Sequence, residues 1–125
     1  MKKLLFVNEY GLYPELVRAL QSTGYEVTVE HMMRKAIKFM QKQNPEIVVA
    51  EFVYESHFRD RVSNLESLLA QIEGKHANTR TILFYEKQWQ EYLDKVLKVF
   101  TVDSTLTLPL TADDLLAEVD RLGAD

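Results

Sequence analysis

The residue types that could do chemistry on their own form no catalytic or metal-binding pattern in this sequence. His31, His57 and His76 have no cysteine companion and no histidine four residues away, so a zinc site is not expected. Ser56 and His57 lie close to Asp60, but neighbours at such spacing rarely face one another as a triad, and no nucleophile-elbow motif precedes them. Hydrolase chemistry is therefore not predicted.

Phosphate binding through a glycine-rich turn is not indicated either. The chain has four glycines, and none forms the turn of a dinucleotide or P-loop site. Fifteen basic against nineteen acidic residues give a net charge of -4, which opposes nucleic-acid and anionic-membrane partners because both reward clustered cations. We therefore expect neither partner.

Size and composition indicate one folded domain over residues 1–125. Hydrophobic residues make up 46% of the chain and charged residues 27%, a normal globular balance. The first apolar run, residues 4–7, is too short to span a membrane or to act as a secretion signal. The absence of cysteine is compatible with a reducing compartment, and we expect a cytoplasmic location.

Short apolar runs alternate with helical patterns along the chain. Runs rich in Val, Ile, Leu and Phe are typical of strands buried on both faces of a parallel sheet, whereas alternation of polar and apolar residues is typical of an edge strand. The predicted strands cover residues 4–7, 26–30, 47–50, 81–85 and 105–108. Each is followed by a helix, so we predict a flavodoxin-like doubly wound α/β sandwich with five parallel strands in the order 2-1-3-4-5 and five helices.

Particular residues predict where the helices begin and end. Pro14 favours the first turn of helix one, and Gly24 is expected to end it in the left-handed conformation. A capping box at residues 63–66 predicts the start of helix three, and Thr111 that of helix five. The fourth helix is predicted from an apolar stripe of Trp89, Tyr92, Leu93, Val96, Leu97 and Phe100.

Four segments carry a resemblance to a known family. Residues 44–51 run Asn-Pro-Glu-Ile-Val-Val-Ala-Glu, and residues 3–9 run Lys-Leu-Leu-Phe-Val-Asn-Glu. Residues 82–86, Ile-Leu-Phe-Tyr-Glu, and residues 107–110, Thr-Leu-Pro-Leu, complete the set. In order and spacing these segments resemble strands three, one, four and five of CheY-like response-regulator receiver domains. The resemblance spans essentially the whole chain.

The resemblance also assigns positions to the family's phosphorylation site, and several depart from its pattern. Glu51 stands where receivers carry the phosphoacceptor Asp, and Asn8 and Glu9 replace the acidic pair. Tyr85 stands in place of the switch Thr or Ser, and Leu108 in place of the conserved Lys. The longer Glu51 side chain displaces any acyl phosphate by about 1.5 Å, and Leu108 supplies no cation for it. We therefore expect a degenerate pseudo-receiver with no catalytic residue.

The leading interpretation is a stand-alone, non-enzymatic signalling domain of two-component type that binds another signalling protein: a kinase, an output protein or a scaffold. One alternative is a phosphorylatable response regulator in which Glu9 and Glu51 hold Mg²⁺, since that ion can bind through one or two carboxylates plus waters. Another is a small-molecule sensor that uses the crevice at the strand ends. A further hypothesis is that Glu51 imitates the phosphorylated state.

Two aromatic regions are candidate interaction sites. The segment after Glu51, residues 52–62, is longer than in receivers and carries Tyr54, His57 and Phe58. Trp89 and Tyr92 on helix four belong to residue types enriched at interface hot spots. A homodimer through helix four, strand five and helix five is one arrangement that these residues would serve.

Overall fold

A computed structural model describes residues 2–58 and 62–123 of the chain. Five parallel strands form one sheet in the order β2-β1-β3-β4-β5. The strands are β1 (Lys3–Val7), β2 (Glu26–Glu30), β3 (Ile47–Glu51), β4 (Arg80–Glu86) and β5 (Ser104–Leu108). The predicted flavodoxin-like strand order is confirmed.

Five helices alternate with the strands, as predicted. They are α1 (Pro14–Gln21), α2 (Met33–Lys42), α3 (Glu66–Lys75), α4 (Gln90–Leu97) and α5 (Ala112–Gly123), and a 3₁₀ turn (Lys87–Trp89) precedes α4. Helices α2, α3 and α4 cover one face of the sheet, whereas α1 and α5 cover the other. In the described part of the chain, no helix is long and apolar enough to cross a membrane.

The core lies in two apolar layers, one on each side of the sheet. Strands β1 and β3 are almost entirely buried because helices cover both of their faces, which is why their sequences read as continuous apolar runs. The layer under α1 and α5 contains two stacked rings, Phe6 and Phe84, whose centroids are 5.7 Å apart. This packing holds the parallel strands in place, so that the carboxyl ends of β1, β3, β4 and β5 lie at one edge of the sheet.

Several predicted helix boundaries are confirmed. Pro14 occupies the first turn of α1. The Thr111 hydroxyl accepts the Asp114 N–H at 3.1 Å, as expected of a cap at the start of α5. The Glu66 carboxylate accepts the Ser63 N–H at 2.9 Å, which is one half of the predicted capping box, although α3 begins at Glu66, two residues later than that box implies.

Two details of the prediction are wrong. Gly24 does not adopt a left-handed conformation. Helix α1 ends at Gln21, where the hydroxyls of Ser22 and Thr23 donate to the carbonyls of Ala19 and Leu20, so the last turn needs no glycine. Leu97 is 37% exposed rather than part of the apolar stripe, because α4 ends there and its buried residues are Leu93 and Val96.

Candidate functional site

The carboxyl ends of the parallel strands bring together the residues that the family resemblance singled out. Glu51 is the last residue of β3, and Asn8 directly follows β1. Leu108 ends β5, and Glu86 ends β4 one residue after Tyr85. Ligands of open α/β sheets bind at this edge, which makes it the candidate functional site.

Glu51 is buried, and its carboxylate is held by the segment between β1 and α1. Its Oε1 accepts the N–H of Tyr10 at 2.9 Å and that of Gly11 at 3.4 Å, and its Oε2 accepts the hydroxyl of Tyr13 at 2.5 Å. The side chain is 4% exposed. Three of its roughly four lone-pair positions are therefore engaged by neutral donors of the protein itself.

Tyr13 reaches Glu51 through an unusual backbone conformation. Its φ of 48° is left-handed, which is uncommon for a residue other than glycine, and Pro14 after it disfavours the helical alternative. The ring packs edge-on against Phe84, with centroids 5.0 Å apart. Burial, then the hydrogen bond and charge of Glu51, raise the Tyr13 pKa well above its ordinary value, so the hydroxyl stays a donor at neutral pH.

Asn8 orders the backbone of the same segment. Its Nδ2 donates to the carbonyls of Gly11 at 2.6 Å and Leu12 at 3.2 Å. A carboxylate at this position would face two carbonyl oxygens with no proton to donate. Asn8 therefore suits this loop conformation, in which the neighbouring N–H groups turn towards Glu51, better than a carboxylate would.

Asn64, which precedes α3, ties the loop after β3 to the same edge. Its Oδ1 accepts the Val53 N–H at 2.7 Å, and its Nδ2 donates to Glu9 Oε1 and to the Glu51 main-chain oxygen, each at 3.0 Å. Asn64 is 6% exposed, so these bonds satisfy most of its buried polar groups. The sequence contained no signal for this role, because the contacts join residues far apart in the chain.

Tyr85 and Leu108 lie on opposite sides of the sheet. The Tyr85 ring is buried in the layer under α2, α3 and α4, its hydroxyl donates to Gln90 Oε1, and burial raises its pKa. Leu108 packs against the layer under α1 and α5. The Tyr85 ring thus fills core space, and Leu108 presents an apolar side chain at the edge.

The donor set at this edge does not fit Mg²⁺ as the side chains stand. That ion requires near-octahedral oxygen coordination, whereas Glu51 already accepts three hydrogen bonds and Glu9 accepts one from Asn64. Residues 2–58 and 62–123 contain no group of three or more His, Asp or Glu side chains placed to hold a metal.

The Asn8 Oδ1, which is buried, has no hydrogen-bond partner in this part of the chain.

The predicted interaction residues fall into two groups. Tyr54 and Tyr92 stack with ring centroids 3.6 Å apart and planes 6° from parallel, which ties the loop after β3 to α4, while Trp89 packs half-buried at the start of that helix. His57 is exposed, 2.9 Å from the Glu55 carboxylate and edge-on to the ring of Phe58. The charged part of the predicted loop, Arg59, Asp60 and Arg61, lies outside the described residues.

Comparison with known proteins identifies the fold. No protein-family model and no curated protein matches the chain. Among solved structures, it is similar to a CheY-like response regulator receiver domain protein from Methanospirillum hungatei, with 16% identity, a TM-score of 0.76, and 98% of this chain and 94% of that chain covered.

Two further solved structures cover the chain equally well. The response regulator TrrA from Thermotoga maritima, in complex with Mg²⁺ and BeF, gives 21% identity, a TM-score of 0.71, and coverage of 98% of this chain and 99% of that chain. The chemotaxis response regulator CheY4 of Vibrio cholerae gives 18% identity, a TM-score of 0.72 and 98% coverage of both chains. The chain therefore has the fold of CheY-like receiver domains.

Proposed function

We propose that this protein is a receiver-like signalling domain that works by binding another protein and does not accept a phosphoryl group in the normal manner. Two features support this function: the receiver fold, and a site at the strand ends where Glu51 already accepts hydrogen bonds from the protein itself. In this role the domain is not an enzyme. Its partner is a kinase, an output protein or a scaffold of a two-component type pathway.

The observation that carries the proposal is the set of hydrogen bonds on Glu51. A phosphoryl donor would have to approach a carboxylate that already accepts bonds from Tyr10, Gly11 and Tyr13. Hydrogen bonds to charged groups contribute about 1.5–3 kcal/mol each, so opening this arrangement is costly. Residues 10–13 therefore occupy the hydrogen-bonding positions of Glu51 that an incoming phosphoryl donor would need.

Charge supports the same proposal. An acyl phosphate on Glu51 would add negative charge at a buried position, and burying unpaired charge costs several kcal/mol. Among the described residues, no Lys or Arg forms an ion pair with Glu51, and Leu108 stands where receivers carry a lysine. Phosphorylation would thus create a charge that no neighbouring cation offsets.

The surface around α4 is the best candidate for partner binding. Trp89 and the stacked Tyr54 and Tyr92 give it an aromatic character typical of hot spots. Leu97 and Val99 are 37% and 68% exposed at the end of the helix. An exposed apolar strip of this kind is a common feature of interfaces.

The phosphorylation half of the proposal is tested by incubating the protein with Mg²⁺ and a small acyl phosphate donor and measuring the intact mass. We expect no phosphoryl adduct. A labile adduct that is absent in Glu51→Gln would establish the phosphorylatable alternative instead. A receiver domain with an intact acceptor Asp, treated in parallel, shows that the donor is active.

The protein-binding part of the proposal is tested first with a second copy of the chain as the partner. If a second copy binds through α4, β5 and α5, light scattering at micromolar concentration should give the mass of two chains. Val99→Glu should restore the mass of one chain, whereas the control variant Met32→Glu, at an exposed residue just before α2, should not. A one-chain mass at every concentration would exclude the homodimer and leave a different protein as the partner.

A further inference from the structure

A pocket opens directly beside Glu51, between the β1–α1 segment, the loop after β3 and the start of α4. Its volume is about 320 Å³, within the range of small-molecule sites. Five aromatic residues line it, Tyr13, Tyr54 and Trp89 among them, together with three carboxylates, Glu51, Glu55 and Glu86. No lysine or arginine lines it in the described part of the chain.

Among the described residues, the carboxylates of the pocket have no lysine or arginine partner. Glu51 is 4% exposed, and its hydrogen-bond donors in residues 2–58 and 62–123 are neutral. Glu86 accepts a hydrogen bond from the neutral amide of Gln88, and Glu55 lies 2.9 Å from the His57 ring. Glu51 is buried, where charges interact more strongly than in bulk water, while Glu55 is partly exposed and Glu86 is exposed. With negative charge from all three, the pocket favours a cation over an anion or a neutral molecule.

The aromatic rings narrow the kind of cation. Faces of Trp and Tyr attract weakly hydrated organic ammonium groups, and cages of such rings bind quaternary and methylated ammonium ions. Inorganic ions such as Mg²⁺ instead keep waters and require a set of oxygen ligands that this edge does not offer. The combination of rings and carboxylates is therefore suited to an alkylammonium group.

We propose that this pocket binds a small organic ammonium ion, with the rings of Trp89 and Tyr54 against its alkyl groups and the carboxylates supplying the charge. The site goes beyond the receiver-like role and does not depend on whether Glu51 accepts a phosphoryl group. Since Tyr54 also stacks on Tyr92 of α4, a bound ligand would contact one ring of the aromatic pair that belongs to the proposed interaction surface.

The single tryptophan of the chain, Trp89, lies in this pocket and provides a direct signal. Choline is titrated into the intact protein at constant ionic strength while Trp89 fluorescence is followed, and calorimetry is run on the same samples. We expect a saturable change with choline. The neutral isostere, in which a tert-butyl group replaces the trimethylammonium, and sodium chloride should give none.

Variants separate a charged site from an apolar pocket. Glu86→Gln should weaken choline binding about threefold, the modest effect expected of an exposed carboxylate. Glu91→Gln, an exposed neutral substitution on α4 outside the lining, should leave the affinity unchanged. The proposal is overturned if neither technique gives a saturable signal, if the neutral isostere binds equally well, or if Glu86→Gln and Glu91→Gln behave alike.

Discussion

The buried layers of the sheet and the carboxyl edge differ in how they depend on individual residues. Each layer consists of many apolar side chains that all contribute burial, such as Leu20, Phe6 and Phe84 under α1 and α5. The edge depends on single polar side chains, above all Asn8, Glu51 and Asn64, each with defined donors and acceptors. A fold can thus persist while the chemistry at its edge changes.

The physical reason lies in the nature of the two interactions. Apolar burial is non-directional and roughly proportional to area, so related sequences satisfy it with different side chains. Hydrogen bonds and phosphoryl chemistry require particular atoms at fixed distances. The receiver fold therefore survives at an identity of 16–21% with solved receivers, whereas the site does not follow from the fold.

The largest expected effect is a loss of stability from truncating the core. Leu20→Ala removes a fully buried side chain of α1, and we expect it to lower the free energy of unfolding by about 2–5 kcal/mol, measured by urea denaturation. Leu12→Ala is the matched control, because that leucine is 74% exposed and should change stability by about 0.5 kcal/mol or less. Equal effects of the two variants would contradict the described burial.

Gly11→Ala tests the packing of the edge itself. A Cβ at this position would lie 2.7 Å from the Tyr13 ring, so the ring must move and its bond to Glu51 is lost. We expect the free energy of unfolding to fall by about 1–3 kcal/mol. Gly24→Ala, where nothing lies within 4 Å, should be close to neutral in the same denaturation series.

Tyr13→Phe removes one donor to Glu51 and should lower the free energy of unfolding by about 1–2 kcal/mol at neutral pH. Tyrosine in the unfolded chain ionises near its ordinary pKa of 10.0, whereas in the fold the Tyr13 pKa is raised. The stabilisation is therefore complete below about pH 10 and is lost as the pH rises further. The difference between the two proteins should shrink over that range, and a constant difference would contradict the assigned bond.

The smallest effect is expected away from the site, at the Glu118 carboxylate on α5. Arg121 first, and then the Ser104 hydroxyl, lower the Glu118 pKa from 4.5 to about 2. Its contribution to stability is present above pH 4.5 and is lost as the pH falls towards 2. Glu118→Gln should cost less than about 1 kcal/mol at neutral pH, because its partner Arg121 is 56% exposed and solvent weakens the pair. It should also flatten the acid dependence in denaturation series at several pH values.

The sequence predicted the fold well because its signals were local. Strands buried on both faces read as apolar runs, and helices read as stripes, so the order of the elements along the chain was confirmed. The strand order came from the flavodoxin-like plan of five alternating units and was also confirmed. Gly24 was assigned wrongly, because nearby hydroxyls can end a helix without a left-handed glycine.

The site was predictable only in part. The position of Glu51 at the sheet edge follows from its place at the end of an apolar run. Its hydrogen bond from Tyr13, however, joins residues 38 apart and requires a left-handed backbone at Tyr13. Asn64 likewise donates a hydrogen bond to Glu9, 55 residues away in the sequence. Such contacts arise from tertiary packing and leave no periodic pattern in the sequence.

The most direct test of the central claim observes the Glu51 donors themselves. Backbone amide NMR spectra recorded with and without Mg²⁺ and a small acyl phosphate donor report on the N–H groups of Tyr10 and Gly11. We expect both resonances to stay in place, because Glu51 remains their acceptor. Large shifts of these two amides on addition of the donor and Mg²⁺, together with a labile phosphoryl adduct, would contradict the account.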